Sequence, residues 1–210
     1  MSVLIGIAGQ KGSGKNTVAE MIRDWCSEQG LSHINRGFAD NVKLAVMRLF
    51  KPDATVEEAL AWADRWKNDD GISATFPWED SGYVTSRQIA TVRELLQRMG
   101  TEVGREIFGV GCWTNALLPE DPMADEPFYA YHDIGTISDV RFGNEAKRIK
   151  NTYGGELWLV QRPDLPPPED HASEKPLPIE IFDRIIINEG SLEDLHEKVS
   201  GAMRDLVDIG

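Results

Sequence analysis

For a chain of 210 residues this one is short of cysteine, histidine and positive charge. Its two cysteines, Cys26 and Cys112, are too few for a disulfide scaffold. Together with four histidines at no metal-ligand spacing, they exclude a protein-held zinc site. Lys and Arg number 22 against 35 Asp and Glu, a formal net charge of -13. Nucleic acid and anionic membranes both demand clustered cations, so bulk nucleic-acid binding and membrane attachment are not expected. A small anionic ligand needs only a local group of donors and is not excluded. No apolar run approaches the roughly 18 residues of a membrane span. The opening MSVLIGIAG has no basic stretch before its apolar one, so it does not read as a signal peptide. The expectation is a cytoplasmic protein with a small-molecule ligand.

What is present is an α/β pattern. The length suits one domain at about 100 to 200 residues per domain, and no linker or internal repeat divides it. Residues 3–8, VLIGIA, read as a strand buried on both faces. From Lys15 to about Gln29, Val18, Met21, Ile22, Trp25 and Cys26 recur at helical spacing, and Gly30 offers a stop. A strand over 32–38 and a helix over 41–50 follow, and this β-α-β-α opening predicts a parallel sheet. Thr55 and Glu58 read as a capping box. Residues 69–84 read as a loop, and Thr85 to Gln88 as the cap of a helix running through Met99, with Gly100 as its C-cap glycine. Residues 119–127 read as an acidic surface loop, 134–140 as a buried strand, 143–152 as a helix and 156–162 as a strand. Residues 163–178 hold six of the 11 prolines and read as an exposed segment with the character of a lid. A last strand covers 181–188, and Ser191 begins a C-terminal helix.

The sharpest feature is Gly9-Gln-Lys11-Gly12-Ser13-Gly14-Lys15-Asn16-Thr17. It satisfies G-x-x-x-x-G-K, with Asn16 where the motif has Ser or Thr and Thr17 one place later. Glycines let the backbone turn its N–H groups inward around phosphate oxygens. The following helix adds its positive end, and Lys15 a point charge between the β- and γ-phosphates. A strand before it and a helix after it are the context such a loop requires.

The run G-x-x-G-S-G-K-x-T resembles the loop of nucleoside monophosphate kinases. FADNVK at 38–43, RELLQRMGTEVGRE at 93–106, ISDVRFGNEA at 137–146 and HASE at 171–174 are similar to blocks of the bacteriophage-type deoxynucleoside monophosphate kinases, in that family's order. The resemblance implies a three-layer α/β/α P-loop kinase fold with a mostly parallel sheet. It implies one domain over 1–210, with a helical acceptor-side insertion at about 51–118 and a lid at about 163–178. It further implies transfer of the ATP γ-phosphate to a dNMP with Mg²⁺ as cofactor, and a homodimer. Lys15, Arg105, Arg141 and Asp139 would be catalytic. Gly9, Lys11, Gly12, Ser13, Gly14, Lys15, Asn16, Thr17 and Arg162 would bind ATP, and Asp40, Lys43, Arg93, Gln97, Thr101, Arg105, Arg141 and Glu174 the acceptor.

Chemistry supports several of these roles, each beside a plainer alternative. Asp139 ends an apolar strand where a carboxylate can hold a hydrated Mg²⁺; it could instead cap the helix near Gly143. Thr17 would serve the metal through water. Arg141 falls on the same side of an extended chain as Asp139 and could grip a phosphate, or pair with Glu145. Asp40 and Lys43 follow the second strand, where ligands of open sheets collect, although Asp40 could simply cap a helix. Arg93 and Gln97 share a helix face, suited to a phosphate and a base edge or to solvent. Gly100, Thr101, Glu102, Gly104 and Arg105 read as a flexible loop that can approach a ligand. Arg162 could stack on adenine, and His171 and Glu174 are lid contacts or solvated residues. Two rivals stay open: a kinase for another acceptor, with Asp40 as base toward a hydroxyl, and a nucleotide-dependent switch, for which the chain lacks an N-K-x-D run.

Overall fold

The apolar run Val3–Ala8 becomes β1, the central strand of a five-stranded sheet ordered β2-β3-β1-β4-β5. The others are β2 (His33–Arg36), β3 (Ile134–Val140), β4 (Glu156–Gln161) and β5 (Arg184–Ile187), and every pairing is parallel. The computed structural model describes residues 2–49, 51–66, 91–123, 125–166 and 176–207. The loop read at 69–84, the cap read at Thr85–Gln88, His171 and Glu174 lie outside the described residues.

Helix α1 (Lys15–Glu28) buries Val18, Ala19, Ile22, Trp25 and Cys26, a stripe one to two residues wide per turn. It stops where the sequence predicts: Gly30 takes φ +71° and Leu31 N–H donates to Cys26 O at 2.8 Å. That stripe meets Ile5, Ile7, Trp158, Val160 and Ile186 on one sheet face, joined by Leu195, Val199 and Met203 of α7 (Leu192–Val207). Each such side chain fully removed from water stabilises by about 1.5–3 kcal/mol. Ile149, which follows α6 (Gly143–Lys147), packs on Gly6 and Gly155 from the other face, completing three layers. The α/β class with a parallel sheet holds as read.

The chain divides into two compact units, residues 1–37 with 117–210 and residues 38–116. The second has its own core. There Val46, Met47, Ala59, Trp62, Ala63 and Val92 pack together, from α2 (Phe38–Arg48), α3 (Val56–Trp66) and α4 (Val92–Arg98). The capping box at α3 forms as read, with Thr55 N–H donating to Glu58 Oε2 at 2.9 Å and Glu58 N–H to Thr55 Oγ1 at 3.2 Å.

Several boundaries move. The second strand ends at Arg36 and α2 begins at Phe38, because Phe38 is buried as a helix residue rather than a strand residue. The helix through Met99 starts at Thr91, whose extended backbone (φ -142°) and Oγ1, accepting from Glu94 N–H at 3.0 Å, set its N-terminus. Gly100 is not its C-cap, and 100–105 is not a flexible loop. The helix continues as a π-helix over Met99–Ile107. Trp113 explains Gly104, where a Cβ would sit 2.2 Å from the indole nitrogen, and its Nε1 donates to Gly100 O at 2.8 Å. The helix read at 143–152 likewise passes from α form to π form at Arg148. The last strand is shorter than 181–188, because Ile179–Ile181 forms a 3₁₀ turn before Arg184.

Candidate active site

The sheet order sets the site's position. From β1 the chain crosses to β2 and β3 on one side, then to β4 and β5 on the other, so the crevice beyond the carboxyl ends opens at β1. Gly9–Gly14 leaves β1 there and feeds α1. Gly9 has φ +150°, and a Cβ on it would lie 2.3 Å from Val160 O and 2.7 Å from Ser13 Oγ. Gly14, at φ +101°, is the left-handed residue immediately before α1. Only glycine fits either position. Lys11 and Gly12 are exposed, whereas Ser13 is fully buried and its Oγ has no hydrogen-bond partner among the described residues. A buried hydroxyl without a partner is costly and marks a place where a ligand oxygen can be received. Lys15 Nζ donates to Gly9 O at 2.7 Å and Gln10 O at 2.9 Å, so its ammonium lies across the loop. Asn16 is exposed and Thr17 half-buried, both in the first turn of α1.

Asp139 and Arg141 emerge at the carboxyl end of β3, which pairs with β1. Asp139 lies against Gly37: a Cβ there would meet its Oδ2 at 2.8 Å. It does not cap α6, whose N-cap is Phe142. Glu145 is 2 % exposed, and its Oε2 accepts from the backbone N–H of Arg141 at 2.8 Å and of Phe142 at 3.0 Å. Such charge-assisted bonds fix the turn carrying Asp139 and Arg141. The sequence shows Glu145 as an acid after the strand; that it is buried on backbone amides could not be read from spacing. Arg162 follows β4 and is exposed. Gly9, Gln10, Arg141 and Arg162 line a cavity of about 620 Å³ that also has apolar walling from Pro163, Leu177, Phe182 and Ile187.

The second unit holds most of the predicted acceptor residues. Lys43 Nζ meets Asp40 Oδ1 at 3.0 Å within α2, both largely buried. Asp40 therefore lies in the first turn of α2 rather than at its cap. Arg93, Gln97, Thr101 and Arg105 recur every fourth residue along one continuous helix. Four residues overshoot a turn of α-helix by about 40°. In the wider, i→i+5 bonded π-helix they fall short by roughly as much. The change of helix type at Met99 thus keeps the four on one stripe, with Arg93 and Gln97 exposed and Thr101 and Arg105 half-buried. Arg105 Nη1 also donates to Val110 O at 3.2 Å. Val42 of α2 faces Gly100, where a Cβ would lie 3.8 Å from it, so the helix of Asp40 and Lys43 packs against this one.

Among the described residues no cluster of three or more His, Cys, Asp or Glu could by itself hold a metal. A hydrated Mg²⁺ needs no such cluster, since it keeps its waters and takes phosphate oxygens with one or two protein ligands. Asp139 at the carboxyl end of β3 and Thr17 in the first turn of α1 are donors of the right kind. Among the described residues no helix is long and apolar enough to cross a membrane.

Comparison with known proteins agrees with this architecture. A family model for deoxynucleotide monophosphate kinase matches residues 27–199. A protein of Acanthamoeba polyphaga mimivirus, provisionally called a deoxynucleotide monophosphate kinase, is 31% identical over 212 residues covering 94% of each chain. The deoxynucleoside-5'-monophosphate kinase of Escherichia phage T5 is 26% identical over 232 residues, with 90% of each chain covered. The deoxynucleotide monophosphate kinase of Enterobacteria phage T4 is 29% identical over 116 residues, 55% of this chain and 46% of that one. With a match reaching from α1 into α7, the chain belongs to the deoxynucleotide monophosphate kinase family of phosphotransferases.

Proposed function

We propose that the chain transfers the γ-phosphate of ATP to deoxynucleoside 5'-monophosphates, giving diphosphates, with the donor phosphates held by Gly9–Thr17. The observation that carries this is the loop itself. It has glycines where side chains cannot fit, a buried Ser13 hydroxyl without a partner and a lysine lying across its carbonyls, and it opens at the sheet's crevice. Its N–H groups and the start of α1 receive phosphate oxygens. The 620 Å³ cavity is of a size for a nucleoside. The apolar wall takes the donor base, and Arg162 stacks on it. In the second unit, Asp40, Lys43 and the stripe of Arg93, Gln97, Thr101 and Arg105 bind the acceptor.

An acceptor phosphate is already ionised, so the reaction needs alignment and neutralisation of charge more than a base. Lys15, Arg105 and Arg141 supply fixed positive charge to the transferring group. Asp139 and Thr17 would hold the water shell of a Mg²⁺ ion, which would supply charge neutralisation to the donor phosphates. A coupled assay with ATP and dGMP, dTMP, dCMP and dAMP separately tests the reading. Rapid ADP release that depends on a dNMP is expected; slow hydrolysis indifferent to acceptor would instead indicate a switch.

Thr17 takes the hydroxyl role left vacant at Asn16. Thr17→Val is expected to shift the Mg²⁺ or ATP dependence upward by roughly 10-fold, on the scale of one hydrogen bond to a charged group. Asn16→Ser should behave as wild type, since Asn16 is exposed. Mg²⁺ titrations of both variants check this, and a wild-type Thr17→Val curve would remove Thr17 from the metal shell.

A further inference from the structure

We propose that Asn188 is a positioning residue for the phosphate loop, setting the direction of the Gly14 N–H from the opposite end of the sequence. The inference rests on the reading of Gly9–Thr17 as the donor-phosphate site. Asn188 follows β5, and its own N–H donates to Gln161 O at 2.7 Å, extending the β4–β5 ladder by one residue. Its backbone is therefore fixed by the sheet. Its side-chain Nδ2 donates to Ser13 O at 2.8 Å, a partly buried contact between residues 175 apart in sequence.

A trans peptide holds its C=O and N–H on opposite sides, and the chain has no cis peptide among the described residues. An amide that draws Ser13 O toward β5 thus turns the Gly14 N–H away from it. Gly14 then adopts φ +101°, and the amide occupies the room a side chain would need: a Cβ on Gly14 would lie 2.5 Å from Asn188 Nδ2. Asn188 holds the carbonyl side of this peptide from outside the loop. Ser13 N–H donates to Gln10 O at 3.0 Å, but Ser13 Oγ has no partner. Left-handed glycines make a loop conformationally costly to order, so a fixed external donor lowers what ligand binding must supply. Gln161 and Asn188 both sit at the carboxyl edge of the sheet, so the loop's shape is tied to an edge strand.

The test uses the full chain with Asn188→Ala, which removes the amide, and Asn188→Leu, which keeps its branched shape without the donor. Both are expected to raise the ATP KM by ~10-fold, the scale of one lost hydrogen bond, with acceptor KM within about twofold and Tm near wild type. In ¹⁵N-labelled protein the Gly14 amide resonance should move or broaden in both. An unchanged ATP KM in both variants, while Lys15→Ala still impairs turnover, would overturn the role of Asn188 alone. If Lys15→Ala is also without effect, the phosphate-loop reading itself falls. Parallel rises in donor and acceptor KM with a lower Tm would reduce Asn188 to a packing residue and also overturn the proposal.

Discussion

Lys15→Ala is expected to lower kcat by ~10²-fold or more, the scale on which removing one charge-stabilising donor acts, while leaving the fold intact. The lysine bridges Gly9 O and Gln10 O with its ammonium, so in the free protein it neutralises the two carbonyls at the start of the loop. A phosphate in the loop offers that ammonium better partners, and the interaction strengthens as charge shifts during transfer. Removing it costs the fold little, because Lys15 is only half-buried, as are Gly9 and Gln10. Steady-state kinetics beside a thermal melt check this. Wild-type turnover by a well-folded Lys15→Ala variant would sink the assignment of the loop.

The glycine-rich turn between β1 and α1 was legible in the sequence because its constraints are local. Glycine spacing, a preceding apolar run and a following helical stripe all lie within one short stretch, and each has a direct physical reading. The parallel sheet was legible for the same reason: VLIGIA and IGTISDV announce strands buried on both faces. What sequence reasoning missed depends on distant partners. Gly104 looks like part of a loop until Trp113 is seen against it, where it is a helical position pared down to admit an indole; Gly100 lies in the same helix and accepts from the indole N–H. Glu145 looks like a surface acid until its burial on two backbone amides is seen. Asn188 ends an apolar strand, a signal that was present, but its target lies 175 residues away. The boundary at Phe38 failed because an aromatic after a strand fits strand or helix equally well by local preference.

Transfer and recognition should separate cleanly in the mutants. Arg141 follows Asp139 on a turn held by Glu145, and Arg105 lies on the same helical stripe as Gln97. We assign both arginines to phosphates and Gln97 to the acceptor base. An Arg→Ala change removes a charge felt most as the phosphoryl group moves, so kcat should fall by ~10²-fold for every dNMP alike. The exposed Gln97 offers an amide with two donors and an acceptor, whose fit depends on the base edge it meets. Gln97→Ala should cost about 1 kcal/mol for bases it matches and little for others. That loss should appear in acceptor KM, differ between bases and leave ATP KM unchanged. Steady-state kinetics of the three variants across four dNMPs decide the point. A Gln97 effect equal for all bases, or an arginine effect confined to one of them, would exchange these roles while leaving the kinase activity itself untouched.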